Sequence, residues 1–168
     1  MKNNTETELK QYFTFYMNEQ LYAVELGYVQ EYVEEIKVTE LPKKEGSVIG
    51  MANLRGQIIS MFDLKHKLTG VASKDCKESV VIRDNNSLEK VKLSFEKNYT
   101  SKEPVAIIVD KRRGVIEINK SQLKPGKNHG DKEFNSYISS MVELDDEVVL
   151  ILDISELLGF QPKEDIVE

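Results

Sequence analysis

Two aspartates, Asp63 and Asp153, are the first candidates for chemistry, because each follows an apolar stretch and stands at a matching place in a repeated pattern. Paired carboxylates can act as general acid and base, as in the aspartic proteases. Those enzymes need a small, flexible turn around each carboxylate, whereas Asp-Leu-Lys and Asp-Ile-Ser here open short helical stretches. We therefore predict that both aspartates cap helices, where a carboxylate accepts hydrogen bonds from free N–H groups.

The remaining reactive side chains are isolated. His66 and His129 belong to no His-x-x-x-His or Cys-x-x-Cys pattern, so no metal site is predicted. Cys76 has no second cysteine and no adjacent histidine, which argues against a nucleophile or a disulfide. Neither a phosphate-binding glycine loop nor a Ser-His-Asp order is visible. The sequence predicts no catalytic residues, no cofactor and no metal, and an enzyme is the weakest reading.

The composition limits the classes of partner that the chain is expected to bind. The chain has 168 residues and a net charge of −6, which disfavours binding to nucleic acid or to an anionic membrane. It has no run of about 18 apolar residues and no apolar signal stretch near Met1. Together with the single cysteine, these features predict a cytoplasmic location without membrane insertion.

Alternating apolar and polar residues predict mostly strands. We expect a hairpin over 11–26, one helical turn after Leu26, and a strand around 35–41 that stops at Pro42. Further strands are predicted at 49–54, 57–62, 80–82 and 105–109. A short helix should follow Asp63 and end at Gly70. The polar segment 83–104 reads as a long, partly mobile hairpin with an alternating run at 91–95.

A weak internal repeat organises these elements. Residues 114–125 echo 32–42, with Val115 matching Val33, and residues 141–158 echo 51–68 without a gap. Two copies made of strands suggest a mainly β fold of two pseudo-symmetric small barrels. We place the first barrel at roughly 11–70 and the second at roughly 78–158, with strand exchange at the ends, and expect flexible tails at 1–10 and 161–168.

Four segments carry a resemblance to a known family: VQE (29–31), LP (41–42), VIGMANLRGQIISMFDL (48–64) and AIIVDKRRGVIEI (106–118). They resemble the CheW family of bacterial chemotaxis coupling proteins over roughly residues 11–160. The resemblance implies two five-stranded, SH3-like barrels and no catalysis. It also implies a bridge between the cytoplasmic tip of a chemoreceptor and the regulatory domain of the histidine kinase CheA, in membrane-associated receptor arrays.

Arg55 is the residue that this resemblance explains best. Arg55-Gly56 lies between two predicted strands, where the second copy has Asp145-Asp146, so a turn there does not demand an arginine. An arginine that the fold does not require is a candidate for recognising a carboxylate. The resemblance implies that Arg55 pairs with Glu31 beside the receptor groove.

The resemblance assigns further binding residues. Val29 and Val115 would line the groove between the barrels, in which an amphipathic receptor hairpin packs. Ile49 and Met51 would contact the kinase. Arg112 departs from the family, which carries an apolar or small residue there. Arg112 and Arg113 beside the groove would weaken an apolar contact and favour an acidic partner surface.

Two alternatives stay open. One is a regulator of the same fold that has lost or changed one partner and competes in the array, or couples in a specialised way. The more distant one is a small-barrel nucleic-acid binder, which would need a basic groove with stacking aromatic residues.

Overall fold

The structure, a computed structural model, describes residues 8–74, 78–90, 100–126 and 132–158. In these residues the chain forms short strands and four helices of five or six residues. The strands are β1 (Leu9–Met17), β2 (Gln20–Glu25), β3 (Val29–Val33), β4 (Thr39–Glu45), β5 (Val48–Leu54), β6 (Gln57–Asp63), β7 (Glu78–Ile82), β8 (Val105–Val109), β9 (Lys111–Asn119), β10 (Lys124–Pro125), β11 (Ile138–Leu144) and β12 (Glu147–Leu152). The helices are α1 (Leu64–Thr69), α2 (Asn85–Lys90), α3 (Lys132–Ser136) and α4 (Ile154–Leu158).

The strands form two six-stranded sheets, in agreement with the predicted mainly β fold of two related units. Sheet I has the order β3-β7-β8-β6-β5-β4, and sheet II has the order β9-β1-β2-β12-β11-β10. Each sheet contains one parallel pair, β6 with β8 and β12 with β2, while its other pairs are antiparallel. The two orders correspond strand by strand: β3, β7, β8, β6, β5 and β4 of sheet I match β9, β1, β2, β12, β11 and β10 of sheet II.

The sheets divide the chain differently from the boundaries drawn on the sequence. Strands β1 and β2 were assigned to the first barrel, yet they complete sheet II, and β7 and β8 complete sheet I. The repeat covers all or part of β3 to β6 in sheet I and of β9 to β12 in sheet II, and the remaining two strands of each sheet lie outside it. Strand exchange therefore extends to whole hairpins, which periodicity within a segment cannot indicate.

Each sheet curves around its own small core, and a larger core lies between the sheets. The core of sheet II includes Tyr12, Leu21 and Val149, and that of sheet I includes Ile59, Met61 and Ile108. The core between the sheets combines buried side chains of both, among them Phe13, Phe15, Met17, Phe62, Ile82 and Ile107. This shared core fixes how the two units sit against each other.

Tight turns join the hairpins as the sequence predicts. Arg55 and Gly56 have φ angles of 52° and 86°, and Asp145 and Asp146 have φ angles of 48° and 68°. Two consecutive positive φ angles match the two-residue turn that suits the twist of a hairpin. The Asn53 side chain accepts a hydrogen bond from the Gly56 N–H at 2.8 Å and holds the first turn.

Two local predictions were wrong. The strand expected over 35–41 is absent as drawn, since β3 ends at Val33 and β4 runs from Thr39 through Pro42 to Glu45. Proline is tolerated there because β4 lies at the edge of sheet I. Segment 83–104 contains helix α2 rather than a hairpin strand, because the Asp84 side chain caps it through the Ser87 N–H at 2.7 Å. The run 91–95 lies outside the described residues.

Candidate functional site

Asp63 and Asp153 cap helices, as predicted, and do not form a catalytic pair. The Asp63 carboxylate is buried and accepts hydrogen bonds from the His66 N–H at 3.2 Å and from the Ser73 N–H at 2.9 Å. The Asp153 carboxylate accepts one from the Glu156 N–H at 3.1 Å, at the start of α4. Each carboxylate is thus committed to its own helix start, on a different sheet.

Within residues 8–74, 78–90, 100–126 and 132–158, no group of three or more His, Cys, Asp or Glu side chains comes together as a metal site would require. Cys76 and His129 lie outside these ranges. None of the helices in the described ranges combines the length and the apolarity that crossing a bilayer requires.

A cleft of about 1010 Å³ opens beside the start of β1 and the end of β2, and two ion pairs lie in its wall. The Lys10 ammonium lies 3.3 Å from the Glu25 carboxylate, and the Lys120 ammonium lies 3.9 Å from that of Glu8. Burial raises the pKa of Glu25, while Lys10 opposes this shift. Each of these ion pairs joins two segments that lie side by side in sheet II.

Glu31 and Arg55 form the ion pair that the resemblance implied. The Arg55 guanidinium donates two hydrogen bonds to the two carboxylate oxygens of Glu31, at 2.7 and 2.8 Å. This fork-to-fork geometry is the strongest form of such a pair. The hydrogen bonds from Arg55 lower the pKa of Glu31, and the pair raises the pKa of Arg55. The Arg55 side chain is 72% exposed, so a partner can reach it.

The second copy carries the same kind of pair with the charges exchanged. Asp145 takes the turn position of Arg55, and Arg113 on β9 takes the strand position of Glu31. Their closest side-chain atoms, Arg113 Nη2 and Asp145 Oδ2, are 3.7 Å apart. The two hairpin turns therefore differ in sign although their backbones match, with a positively charged side chain on sheet I and acidic ones on sheet II.

A β-bulge at Gly114 decides which way the two adjacent arginines face. Arg112 lies opposite Phe15 and Val115 lies opposite Phe13, with the register shift between them. Opposed residues in an antiparallel pair share a face, so Arg112 and Val115 lie on the face that carries the two phenylalanines. Gly114 has a φ of 134°, which favours glycine, and its carbonyl accepts a hydrogen bond from the Thr14 hydroxyl at 2.6 Å.

Only Arg112 lies at the junction of the two sheets, which corrects the expectation of two arginines beside the groove. Its guanidinium carbon is 5.2 Å from the centroid of the Tyr32 ring on β3, and its Nη2 is 3.6 Å from the Glu34 carboxylate. Arg113 lies on the sheet II side instead, where it pairs with Asp145. The bulge inserts one residue and so separates the two side chains.

The two valines predicted to line the groove differ in accessibility. Val115 is 50% exposed on the face shared with Phe13, whereas Val29 is only 9% exposed and packs in the core between the sheets. We use the term inter-barrel groove for the junction of the two sheets around Phe13, Tyr32, Arg112 and Val115. Val29 lies beneath it as part of the packing, and a contact with a partner stays a prediction for each of these residues.

The hairpin β5–β6 presents a second apolar surface. Met51 is 42% exposed and Ile58 is 54% exposed, while Ile49 is 8% exposed and belongs to the core of sheet I. Met51 pairs with Ser60 and Asn53 pairs with Ile58, so Met51 and Ile58 are diagonal neighbours on one face. Ile58 is the residue that the sequence analysis missed, although the adjacent pair Ile58-Ile59 signals that one isoleucine must point outward from a strand.

Comparisons with known proteins agree with this fold. Residues 11–161 match the family model of the CheW-like domain. The chemotaxis protein CheW of Thermotoga maritima is 27% identical over 146 residues, which are 86% of this chain and 85% of that protein. The chemotaxis protein CheW of Klebsiella aerogenes is 24% identical over 154 residues, which are 92% and 84% of the two chains.

A solved structure provides the same fold. The crystal structure of the scaffolding protein TtCheW from Thermoanaerobacter tengcongensis aligns with a TM-score of 0.71 at 21% identity, covering 93% of this chain and 92% of that one. At this identity the likeness concerns the fold alone, whereas the family model covers nearly the whole chain. The chain therefore belongs to the CheW-like domain family.

Proposed function

We propose that this chain is a chemotaxis coupling protein, which joins the cytoplasmic tip of a chemoreceptor to the regulatory domain of the histidine kinase CheA. It acts without catalysis, in the cytoplasm at receptor arrays. The observation that carries the proposal is that a chain of the CheW-like family exposes large apolar side chains on both sheets. They include Val115 in the inter-barrel groove and Met51 and Ile58 on hairpin β5–β6.

The inter-barrel groove suits a helical receptor tip. An amphipathic helix lays apolar side chains into a groove and meets charged groups at the rim. Val115 supplies the apolar contact, and the exposed donor fork of Arg55, held by Glu31, stands ready at the rim of sheet I. A preformed ion pair of this geometry presents its remaining donors in a fixed direction, which favours recognition of a specific surface.

The face of hairpin β5–β6 suits the kinase. Met51 and Ile58 are diagonal neighbours with large exposed areas, and apolar side chains of this kind form the centre of protein interfaces. Ile49 supports this face from the core side rather than contacting a partner. With one surface at the junction of the sheets and the other on hairpin β5–β6 of sheet I, the chain can hold both partners at once.

Coupling of this kind follows from linkage. The receptor changes kinase activity only if the assembly binds the active and inactive arrangements with different affinities. We expect pairwise dissociation constants on the order of micromolar, about −8 kcal/mol, with further strength from many contacts in the array.

A three-component binding experiment tests the proposal. The purified chain is titrated with a receptor cytoplasmic fragment and with the CheA regulatory domain from the same cell, singly and together. Val115→Asp should weaken receptor binding alone, and Ile58→Asp should weaken kinase binding alone. Lack of binding to both wild-type partners would overturn the proposal, and binding of the kinase domain alone would favour a competitor of the coupling protein.

A further inference from the structure

We propose that Arg112 makes the inter-barrel groove selective for a partner helix that carries a carboxylate next to an apolar anchor. This inference rests on the proposed function, because it names the chemistry of the receptor surface that the same groove accepts. It starts from the one residue of the groove that departs from an apolar lining.

A cation–π contact with Tyr32 holds the Arg112 side chain in place. Its guanidinium carbon lies 5.2 Å from the centroid of the Tyr32 ring. The ring is itself held, since its centroid is 5.6 Å from that of Phe13 and its hydroxyl donates a hydrogen bond to Glu78. A guanidinium that lies over an aromatic ring keeps the donors along its edge free for a carboxylate. The Tyr32 ring therefore orders the Arg112 side chain without using its hydrogen-bond donors.

The bulge at Gly114 places the charge beside the apolar anchor. Because Arg112 lies opposite Phe15 and Val115 lies opposite Phe13, the two behave as residues two apart on one face. That spacing along a strand is about 7 Å. Residues three or four apart on a helix are separated by about 5–6 Å. A helix in the groove can thus meet both residues with an apolar side chain and an acidic one about one turn apart.

The present partner of Arg112 is weakly held. Glu34 contacts it through one atom pair at 3.6 Å, and the side chains of Arg112 and Glu34 are 56% and 71% exposed. Exposed ion pairs of this kind contribute little to stability, so a partner carboxylate can replace Glu34. Of the charged residues on the adjoining strands, Glu31 pairs with Arg55, Arg113 pairs with Asp145, and Glu78 accepts the hydrogen bond of the Tyr32 hydroxyl. Once displaced, Glu34 repels the incoming carboxylate and lowers the affinity.

The experiment measures binding of the receptor cytoplasmic fragment to the full chain and to three variants. Arg112→Gln should weaken binding roughly tenfold, Arg113→Gln should leave it unchanged, and Glu34→Gln should strengthen it. Each variant is checked for its thermal unfolding midpoint. Glu34→Gln keeps the contact of Arg112 with Tyr32, so it tests the proposal even if Arg112→Gln unfolds.

Variants of the receptor fragment identify the contact. Acidic residues on the groove-facing helix are replaced one at a time by their amides. One replacement should weaken binding to the wild-type chain and have no effect on Arg112→Gln. The proposal would be overturned, with the proposed function unaffected, if Arg112→Gln bound the fragment as tightly as the wild-type chain does. It would likewise be overturned if Arg112→Gln bound every variant of the fragment more weakly by the same factor. Failure of the wild-type chain to bind the fragment would overturn the proposed function and this inference with it.

Discussion

Arg55 and Asp145 occupy the same position in two related hairpin turns, yet they pair with residues of opposite sign. Their φ angles are 52° and 48°, so the backbone treats them alike. Arg55 pairs with Glu31 on β3, and Asp145 pairs with Arg113 on β9. Because the same turn accepts either sign, folding does not explain the arginine, and a role in recognition is the reading that we favour.

The first prediction separates the stability of the turn from its binding role. Asparagine adopts positive φ more readily than arginine, which offsets the loss of the exposed ion pair with Glu31, so Arg55→Asn should change the thermal unfolding midpoint little. The same change removes the donor fork and should weaken binding of the receptor fragment roughly tenfold.

Asp145→Asn is the matched control, because it makes the same change at the equivalent turn of sheet II. It should leave receptor binding unaltered. Equal affinity of Arg55→Asn and wild type would reject a binding role for Arg55.

The second prediction compares two adjacent isoleucines of β6. Ile58 is 54% exposed and Ile59 is 1% exposed. Ile58→Ala should change the unfolding free energy by less than about 0.5 kcal/mol, whereas Ile59→Ala should lower it by about 2–4 kcal/mol. Urea denaturation measures both values.

Binding to the CheA regulatory domain should show the opposite order. Ile58→Ala should weaken it several-fold, while the folded fraction of Ile59→Ala should bind normally. If the kinase domain binds Ile58→Ala as tightly as wild type, hairpin β5–β6 is not its contact surface.

The third prediction concerns acid. The pKa of Glu31 is lowered below its ordinary value of 4.5, chiefly by the hydrogen bonds from Arg55. A carboxyl whose pKa is lower in the folded than in the unfolded state contributes stability that is fully present well above pH 4.5. This contribution is lost as the pH falls from about 4.5 through the folded pKa.

Glu31→Gln should therefore reduce the slope of unfolding free energy against pH below about pH 5, and it should cost stability at pH 7. Chemical denaturation at a series of pH values measures this slope. Identical slopes for wild type and variant would show that the pair does not contribute to the folded state.

The fourth prediction concerns the bulge. An added Cβ at Gly114 would meet no atom within 4 Å, so space does not require glycine there. Its φ of 134° does, because side chains of L residues disfavour that region. Gly114→Ala should lower the unfolding free energy by about 1–2 kcal/mol. It should also weaken receptor binding, since Arg112 and Val115 lose their common face.

Lys111→Ala on the same strand is the control for the bulge, because Lys111 is exposed and precedes it. Its unfolding free energy should match that of wild type. If Gly114→Ala also had the unfolding free energy of wild type, a side chain at this position would not strain the bulge.

Local chemistry made several features predictable from sequence. Asp63 and Gly70 mark the start and end of α1 because a carboxylate and a left-handed residue satisfy its free backbone groups. The turn at Arg55-Gly56 and the pairing with Glu31 likewise follow from short spacings and from the resemblance. The matching of Asp145 to Arg55 came from the repeat.

What the sequence left undetermined depends on contacts between distant segments. Periodicity gives strand β5 its alternation, but the register shift near Gly50 decides that Ile49 is buried and Met51 exposed. The bulge at Gly114 likewise decides that Arg112 and Arg113 face different sheets. The sequence predicts a strand end at Pro42. A proline is tolerated within β4 only because β4 lies at the edge of sheet I, and this position is a property of the assembled sheet.

The sharing of hairpins between the sheets has a consequence for the order of folding. Sheet I uses a continuous stretch from β3 to β8, so its strands are all available once residue 109 has been synthesised. Sheet II must join β1 to β9, and the hydrogen bond from Thr14 to Gly114 alone closes a loop of 100 residues. Closing so long a loop is entropically costly and slow. During synthesis we therefore expect the β1–β2 hairpin to remain without its sheet II partners until β9 to β12 have been made.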